Sequence, residues 1–267
     1  MAVRAGALLS VRLFGHVTLD FDDEPCPLAS PRSTAPLLAY LLLHRGAIAR
    51  EPLAYALAPD DPEDGARLKL RNNLYRLSKA LPPQTTWLIS DQESVRWNPE
   101  APLWLDADEF ERSGREQDRL EAAVDVYRGD LLMTFHDEWL VEPRERYRTT
   151  YLSALTDLVS RHRRARDLPR ALAYAQQLLA TDPFREDVLR RLIAIRHEMG
   201  DRAGALWEYQ RFAERLRDEL GIEPMPETES LRAAIARGEA VEAGEESTAR
   251  IPALVVETRE LPFVGRH

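Results

Sequence analysis

Cysteine occurs once in 267 residues, at Cys26, which excludes an intramolecular disulfide and a cysteine-based metal cluster. Lysine is almost as scarce. Of 36 basic residues only Lys69 and Lys79 are lysines; the other 34 are arginines. No run approaches the ~18–20 apolar residues that span a bilayer. The N-terminal stretch Met1 to Ser10 has too short an apolar run to read as a secretory signal. No Gly-x-x-x-x-Gly-Lys-Ser/Thr loop is present to cradle a nucleotide phosphate. The histidines His16, His44, His136, His162, His197 and His267 form no pair at i, i+3 or i, i+4, so no histidine metal site is expected. His136-Asp137-Glu138 is the nearest approach to an acid–base group, and no further motif supports an enzyme. These absences together predict a cytoplasmic protein with no membrane partner, no metal, no cofactor and no catalysis.

An excess of positive charge is also missing, since the formal net charge is −9. The balance is uneven, however. Residues 1–99 hold 11 basic and 11 acidic side chains, and the remaining 168 hold 25 and 34. A polyanion responds to a local face within a Debye length of ~10 Å rather than to the sum. The acidic total therefore leaves an anion-binding face open in the first part and argues against one in the second.

Such a face is present between Arg67 and Leu81. Leu70, Leu74, Leu77 and Leu81 recur at the spacing of one buried helical stripe. At roughly 100° per residue, Asn72, Tyr75, Arg76 and Lys79 fall on the opposite side, with Lys69 and Arg71 flanking. From Gly65 to Ser90 there are five basic residues and no acidic one. Arginine suits guanine, asparagine suits adenine, and either basic side chain neutralises phosphate. A solvated basic face on an ordinary helix has the same pattern, so the helix alone leaves both readings open.

The flanks add context. Asp61 is the expected N-cap and Pro62 the first helical residue. Upstream, Pro36 to Leu43 reads as a buried helix and Leu53 to Leu57 as a second, short one. Downstream, Pro82-Pro83 stops the basic helix. Trp87 to Ser90 and Ser94 to Trp97 then read as strands joined by Asp91-Gln92-Glu93. Leu8 to Phe14 and Val17 to Phe21 are β-rich runs at the start. The order of strands, three helices and a terminal hairpin resembles the OmpR-type winged helix-turn-helix over about residues 8–98. That resemblance implies double-stranded DNA as partner, with Arg71, Asn72 and Arg76 at base-facing positions. Lys69, Asn73, Tyr75 and Lys79 would meet phosphate, and Arg96 would lie on the second wing strand. The acidic wing tip departs from the family pattern, which normally places a basic residue there.

Residues 104–237 are helical in pattern and self-similar at an offset of 34, the period of tetratricopeptide repeats. Leu155 falls on Leu189, Leu158 on Leu192, Val159 on Ile193 and Asp167 on Asp201. The repeat helices are expected at Ser153–Arg164, Arg170–Thr181, Val188–Met199 and Ala203–Leu220, with Leu120 to Tyr127 opening an earlier pair. A plain helical bundle with coincidental spacing is the alternative. Stacked pairs usually serve protein contact.

Three segments carry a further resemblance: Leu105-Asp106-Ala107-Asp108-Glu109-Phe110, Tyr127-Arg128-Gly129-Asp130-Leu131-Leu132 and Trp139 to Arg146. With the ending Asp218 to Pro224 followed by Pro226-Glu227-Thr228, they are similar to the bacterial transcriptional activator domain. That domain follows an OmpR-type winged helix in the Streptomyces antibiotic regulatory protein (SARP) family. The fold class expected is mainly α with small β elements. Residues 1–99 would form the winged helix-turn-helix, 100–237 the tetratricopeptide-like domain, and 238–267 an acidic linker and tail. Leu261-Pro262-Phe263-Val264-Gly265-Arg266 resembles the segment before the phosphate-binding loop of STAND-type ATPases in larger family members. On that resemblance an ATPase is expected downstream; a stand-alone regulator with a frayed tail is the alternative. The family implies a sequence-specific transcriptional activator whose helical repeats contact RNA polymerase or a second copy of the chain. An adaptor whose winged helix has lost DNA binding is the competing reading, supported by the acidic wing tip.

Overall fold

The structure, a computed structural model, describes residues 8–241. The Leu261–Arg266 segment and the linker from residue 242 onward lie outside the described residues. Two compact units divide between Asp182 and Pro183. The fold is mainly α with small β elements, a winged helix-turn-helix followed by tetratricopeptide-like helix pairs.

The first unit begins with a four-stranded sheet. Strands β1 (Leu9–Arg12) and β2 (Thr18–Phe21) pair antiparallel, β3 (Glu24–Pro25) extends β2, and β7 (Leu103–Leu105) runs parallel to β1. The period-2 pattern of β1 buries Leu9 and Val11, as alternation in a half-covered sheet requires. Helix α1 (Pro31–Leu43) begins five residues earlier than the Pro36 start expected from sequence. Pro31 occupies the first turn, where a missing N–H costs nothing, and Pro36 is carried inside the helix. Helices α2 (Arg50–Leu57) and α3 (Glu63–Ala80) follow. The hairpin β5 (Leu88–Ser90) and β6 (Ser94–Trp97) closes the order, and β4 (Ile48–Ala49) adds a third strand to it. The short strands β3, β4 and β7 have no signal in the sequence pattern.

Past residue 99 the same unit continues through α4 (Asp106–Arg115), α5 (Leu120–Val126), α6 (Val141–Arg164) and α7 (Leu168–Thr181). Its densest aromatic packing joins the two stretches. Phe14, two residues past the first strand, lies 5.3 Å from Phe110, 4.8 Å from Tyr127 and 5.2 Å from Tyr147, ring centre to ring centre. Beside it, buried Asp106 accepts the backbone N–H groups of Leu13 at 2.7 Å and Phe14 at 2.9 Å. Burial pushes this carboxyl above its ordinary range despite those bonds. A sheet that takes its edge strand from residues 103–105 thus spans the boundary expected at residue 99.

The second unit contains α8 (Glu186–Glu198), α9 (Arg202–Arg215) and α10 (Pro226–Arg237). A single π-helical turn, Leu216–Leu220, follows α9 and ends at Gly221, which takes φ 69°. The expected helix Ala203–Leu220 is therefore two elements. Glu186, buried on α8, accepts the N–H of Met225 at 2.8 Å and the hydroxyl of Thr228 at 2.6 Å. It supplies the start of α10 with the acceptor that no local cap provides.

The 34-residue period is visible in local geometry. Asp167 and Asp201, one period apart, are the N-caps of α7 and α9, with φ, ψ of −84°, 68° and −85°, 65°. Each side chain accepts an N–H three residues on, from Arg170 and Gly204. Each backbone N–H closes on a carbonyl five residues back, His162 and Arg196. Equal turns at equal spacing are what a helix-turn-helix repeat demands.

Candidate nucleic-acid interface

Helix α3 is held by one face. Ala66, Leu70, Leu74 and Leu77 are buried along it, and Leu81 closes the stripe just past its end. Of these, Leu77 is fully occluded. The stripe packs on α1 and α2, so the other face is left to solvent. The start of the helix differs from expectation. Pro62 is the capping residue and makes no side-chain cap. Asp61, expected to cap, instead points its carboxylate at Lys69 Nζ, 2.5 Å away. Glu63 and Asp64 complement the helix dipole at the first turn and Lys79 at the last.

Arg71, Asn72, Tyr75, Arg76 and Lys79 are exposed, and Asn73 is half-buried. The cations on this face are not equivalent. Arg67 is paired with Glu63 and, at 3.5 Å, with Glu51. Lys69 is held by Asp61. Arg71 and Arg76 have no ion pair among the described residues, and Lys79 lies 5.8 Å over the Tyr75 ring. The first turns of α3 thus carry compensated charge, and the later turns carry charge that is free to meet an anion. Lys69 would have to exchange Asp61 for a phosphate.

The hairpin β5–β6 is fixed by two devices. Its base is buried through Trp87 and Trp97, whose rings lie 5.7 Å apart. Trp87 Nε1 donates to the Pro82 carbonyl at 2.7 Å, which also anchors the chain leaving α3. At the tip, Asp91 turns inward: its Oδ1 accepts the N–H groups of Glu93 at 2.8 Å and Ser94 at 2.7 Å. Those amides, with the Ser94 hydroxyl and nearby Arg50, hold the Asp91 carboxyl below its ordinary range. Asp91 is therefore the acceptor that forms the turn, and it stays ionised there. Arg96 is exposed on β6, in register with Ile89 on β5.

Arg50 carries no signal in the sequence pattern. At the start of α2, its Nε donates to the Asp91 carbonyl at 2.9 Å and its guanidinium to Ser90 Oγ at 2.6 Å. It ties the helix pair to the wing across 41 positions of sequence, a distance at which no local pattern announces the contact. Among the described residues no group of three or more His, Cys, Asp or Glu is placed to hold a metal ion. No helix among them is long and apolar enough to cross a membrane.

Comparison with known proteins places this geometry in context. Residues 105–236 match the family model of the bacterial transcriptional activator domain. The transcriptional regulatory protein EmbR of Mycobacterium tuberculosis is 26% identical over 260 residues, covering 88% of this chain and 65% of the relative. The regulatory protein AfsR of Streptomyces coelicolor is 29% identical over 246 residues, covering 88% of this chain and 24% of AfsR. The chain thus spans under two thirds of EmbR and about a quarter of AfsR. The solved structure of M. tuberculosis EmbR in complex with a low-affinity phosphopeptide superposes with a TM-score of 0.64 at 23% identity. It covers 88% of this chain and 66% of that one, and the likeness is one of fold.

Proposed function

We propose that this chain, whose residues 105–236 match the bacterial transcriptional activator domain, is a SARP-like regulator: a sequence-specific DNA-binding transcriptional activator. The observation that carries the reading is the free later half of α3. An apolar stripe fixes the helix, and Arg71, Asn72 and Arg76 stand on the open side with no ion pair among the described residues to displace. In this reading α3 enters the major groove with those three side chains nearest the bases. Lys79, Tyr75, Asn73 and, after exchange with Asp61, Lys69 meet phosphate. Arg96 is the wing's contribution. Residues 1–99 supply DNA contact and residues 100–237 supply protein contact, to a second copy of the chain or to RNA polymerase. The acidic wing tip, where Asp91 and Glu93 are exposed, supports the competing reading of an adaptor without DNA binding.

Selection of bound fragments from mixed genomic DNA tests the reading, followed by titration against salt. A recurrent motif is expected, with log affinity falling against log salt at a slope on the order of −3 to −5 for four or five phosphates neutralised. Absent or salt-insensitive binding favours the adaptor. For the helical part, gel shifts compare one half-site with two in direct repeat. Tighter binding per site on the double site is expected from protomer contact, and equal affinity removes it.

A further inference from the structure

An open cleft of about 450 Å³ lies within the first unit, between the loop that follows α5 and the adjoining parts of α6 and α7. Its volume falls in the range of small-molecule sites, about 300–1,000 Å³. Arg128 and Asp130 line it from the loop, Arg148 and Tyr151 from α6, and Gln177 from α7.

The charges in this cleft are unspent. Other arginines of the helices around it are paired, as in Arg119 with Glu109 at 2.6 Å and Arg161 with Glu121 at 3.0 Å. Arg128 has no ion pair or side-chain hydrogen bond among the described residues. Asp130 receives the Tyr127 hydroxyl on one oxygen at 2.8 Å and leaves the other open. The two opposite charges are two residues apart and, among the described residues, bound neither to each other nor to another charge. Arg148 uses one nitrogen on the Thr181 carbonyl, 3.0 Å away, at the last turn of α7. Gln177 donates to the Tyr151 hydroxyl at 2.7 Å, which leaves that hydroxyl's own hydrogen to donate. Burial chiefly holds the Tyr151 and Tyr127 phenols above their ordinary range, so both stay neutral.

A simple anion here meets Asp130 and the carbonyl end of α7, and a simple cation meets two guanidinium groups. A ligand bearing both charges satisfies both sides. We propose that this cleft binds a small zwitterion of the α-amino-acid type, its carboxylate on Arg128 and Arg148 and its ammonium on Asp130.

The loop gives such binding a route to the first sheet. Gly129, between the two charged residues, takes φ 134°, and a Cβ there would lie 3.5 Å from Gly15 Cα. Gly15 takes φ 76°, and a Cβ on it would lie 3.1 Å from the Arg128 carbonyl oxygen. Neither position accepts a side chain without strain. The Gly15 N–H donates to the Asp130 carbonyl at 3.0 Å, and Met133 N–H donates to the Gly15 carbonyl at 3.1 Å. A ligand clamping Arg128 and Asp130 therefore steadies the backbone that fixes the end of β1.

Calorimetric titration of the full chain with each of the twenty free amino acids tests the site independently of DNA. At least one is expected to bind saturably. Its amide and its N-acetyl form, which lack one charge each, are expected to lose about tenfold or more in affinity, as are Arg128→Gln and Asp130→Asn. Arg128 is exposed, so its variant keeps the fold. No saturable binding by any of the twenty, or undiminished binding in both variants, overturns the site. Saturation is also expected to slow hydrogen exchange at the Gly15 and Met133 amides, and unchanged exchange under saturation overturns the link to the sheet. Loss of DNA binding in the separate test leaves these outcomes untouched.

Discussion

Arginine is used in opposite ways by α3 and α8. On α3, Arg71 and Arg76 stand exposed with no carboxylate partner among the described residues. On α8, Arg196 is largely buried and bridges Asp201 at 2.7 Å and Glu208 at 2.9 Å. The same side chain is held as a structural strut in one place and left available in the other. The difference lies in the neighbours, because guanidinium stays charged in both settings. A solvated charge can exchange water for phosphate, whereas a bridged one must first abandon its carboxylates.

Substitutions on either side of this contrast should have separable effects. The largest is expected at the support beneath the free face: Leu77→Ala, in a fully buried position, should lower unfolding free energy by ~2–5 kcal/mol in a denaturant titration. A loss below about 1 kcal/mol would mean that α3 is not held by its apolar stripe. Next, Arg196→Ala should cost about 1.5–3 kcal/mol of stability through lost charged hydrogen bonds, with base preference unchanged. Arg76→Ala should do the reverse, changing stability by no more than about 0.5 kcal/mol and relaxing discrimination at one position by ~1–3 kcal/mol. Measuring unfolding and binding-site selection on both variants would break the contrast if the two behaved alike. A smaller effect is expected for Lys79→Ala, which should weaken all DNA sequences equally and lower the salt slope by about 1.

The smallest effect is in the pH dependence of the repeat turn. The Gly204 amide, and after it Arg196, hold Asp201 below its ordinary value of 3.8. A depressed carboxyl contributes stability above its ordinary value and loses it as pH falls through the folded value. Asp201→Asn keeps a capping oxygen and should flatten the loss of stability below about pH 4. An acid limb identical to that of the parent chain would show that the charge at this cap is idle.

Part of this architecture is legible in the sequence. The leucine stripe Leu70, Leu74, Leu77, Leu81 assigns a buried and a free face to α3, because helical periodicity is a property of local geometry. The 34-residue offset of Asp167 and Asp201 likewise marks two equivalent turns, which the caps of α7 and α9 match in both dihedral and hydrogen bond. The cap expected at Asp61 fails for a local reason. A pattern of Asp before Pro signals helix entry, but Lys69, eight residues on, competes for the same carboxylate. The two-residue strand β4 has too few positions to show alternation. Strand β7 forms only because β1, far earlier in the chain, offers it an edge.

Sequence alone determined the order of the longer elements, the apolar side of α3 and the equivalence of the repeat turns. All three follow from spacings of a few residues, set by backbone geometry that every chain shares. Tertiary structure decided which charges are spent. Whether Lys69 or Arg76 has a carboxylate partner, and which side chains of α6 and α7 share a cleft with Arg128 and Asp130, depend on groups brought close by folding. Coulomb interaction acts through distance in space, and distance along the chain does not report it.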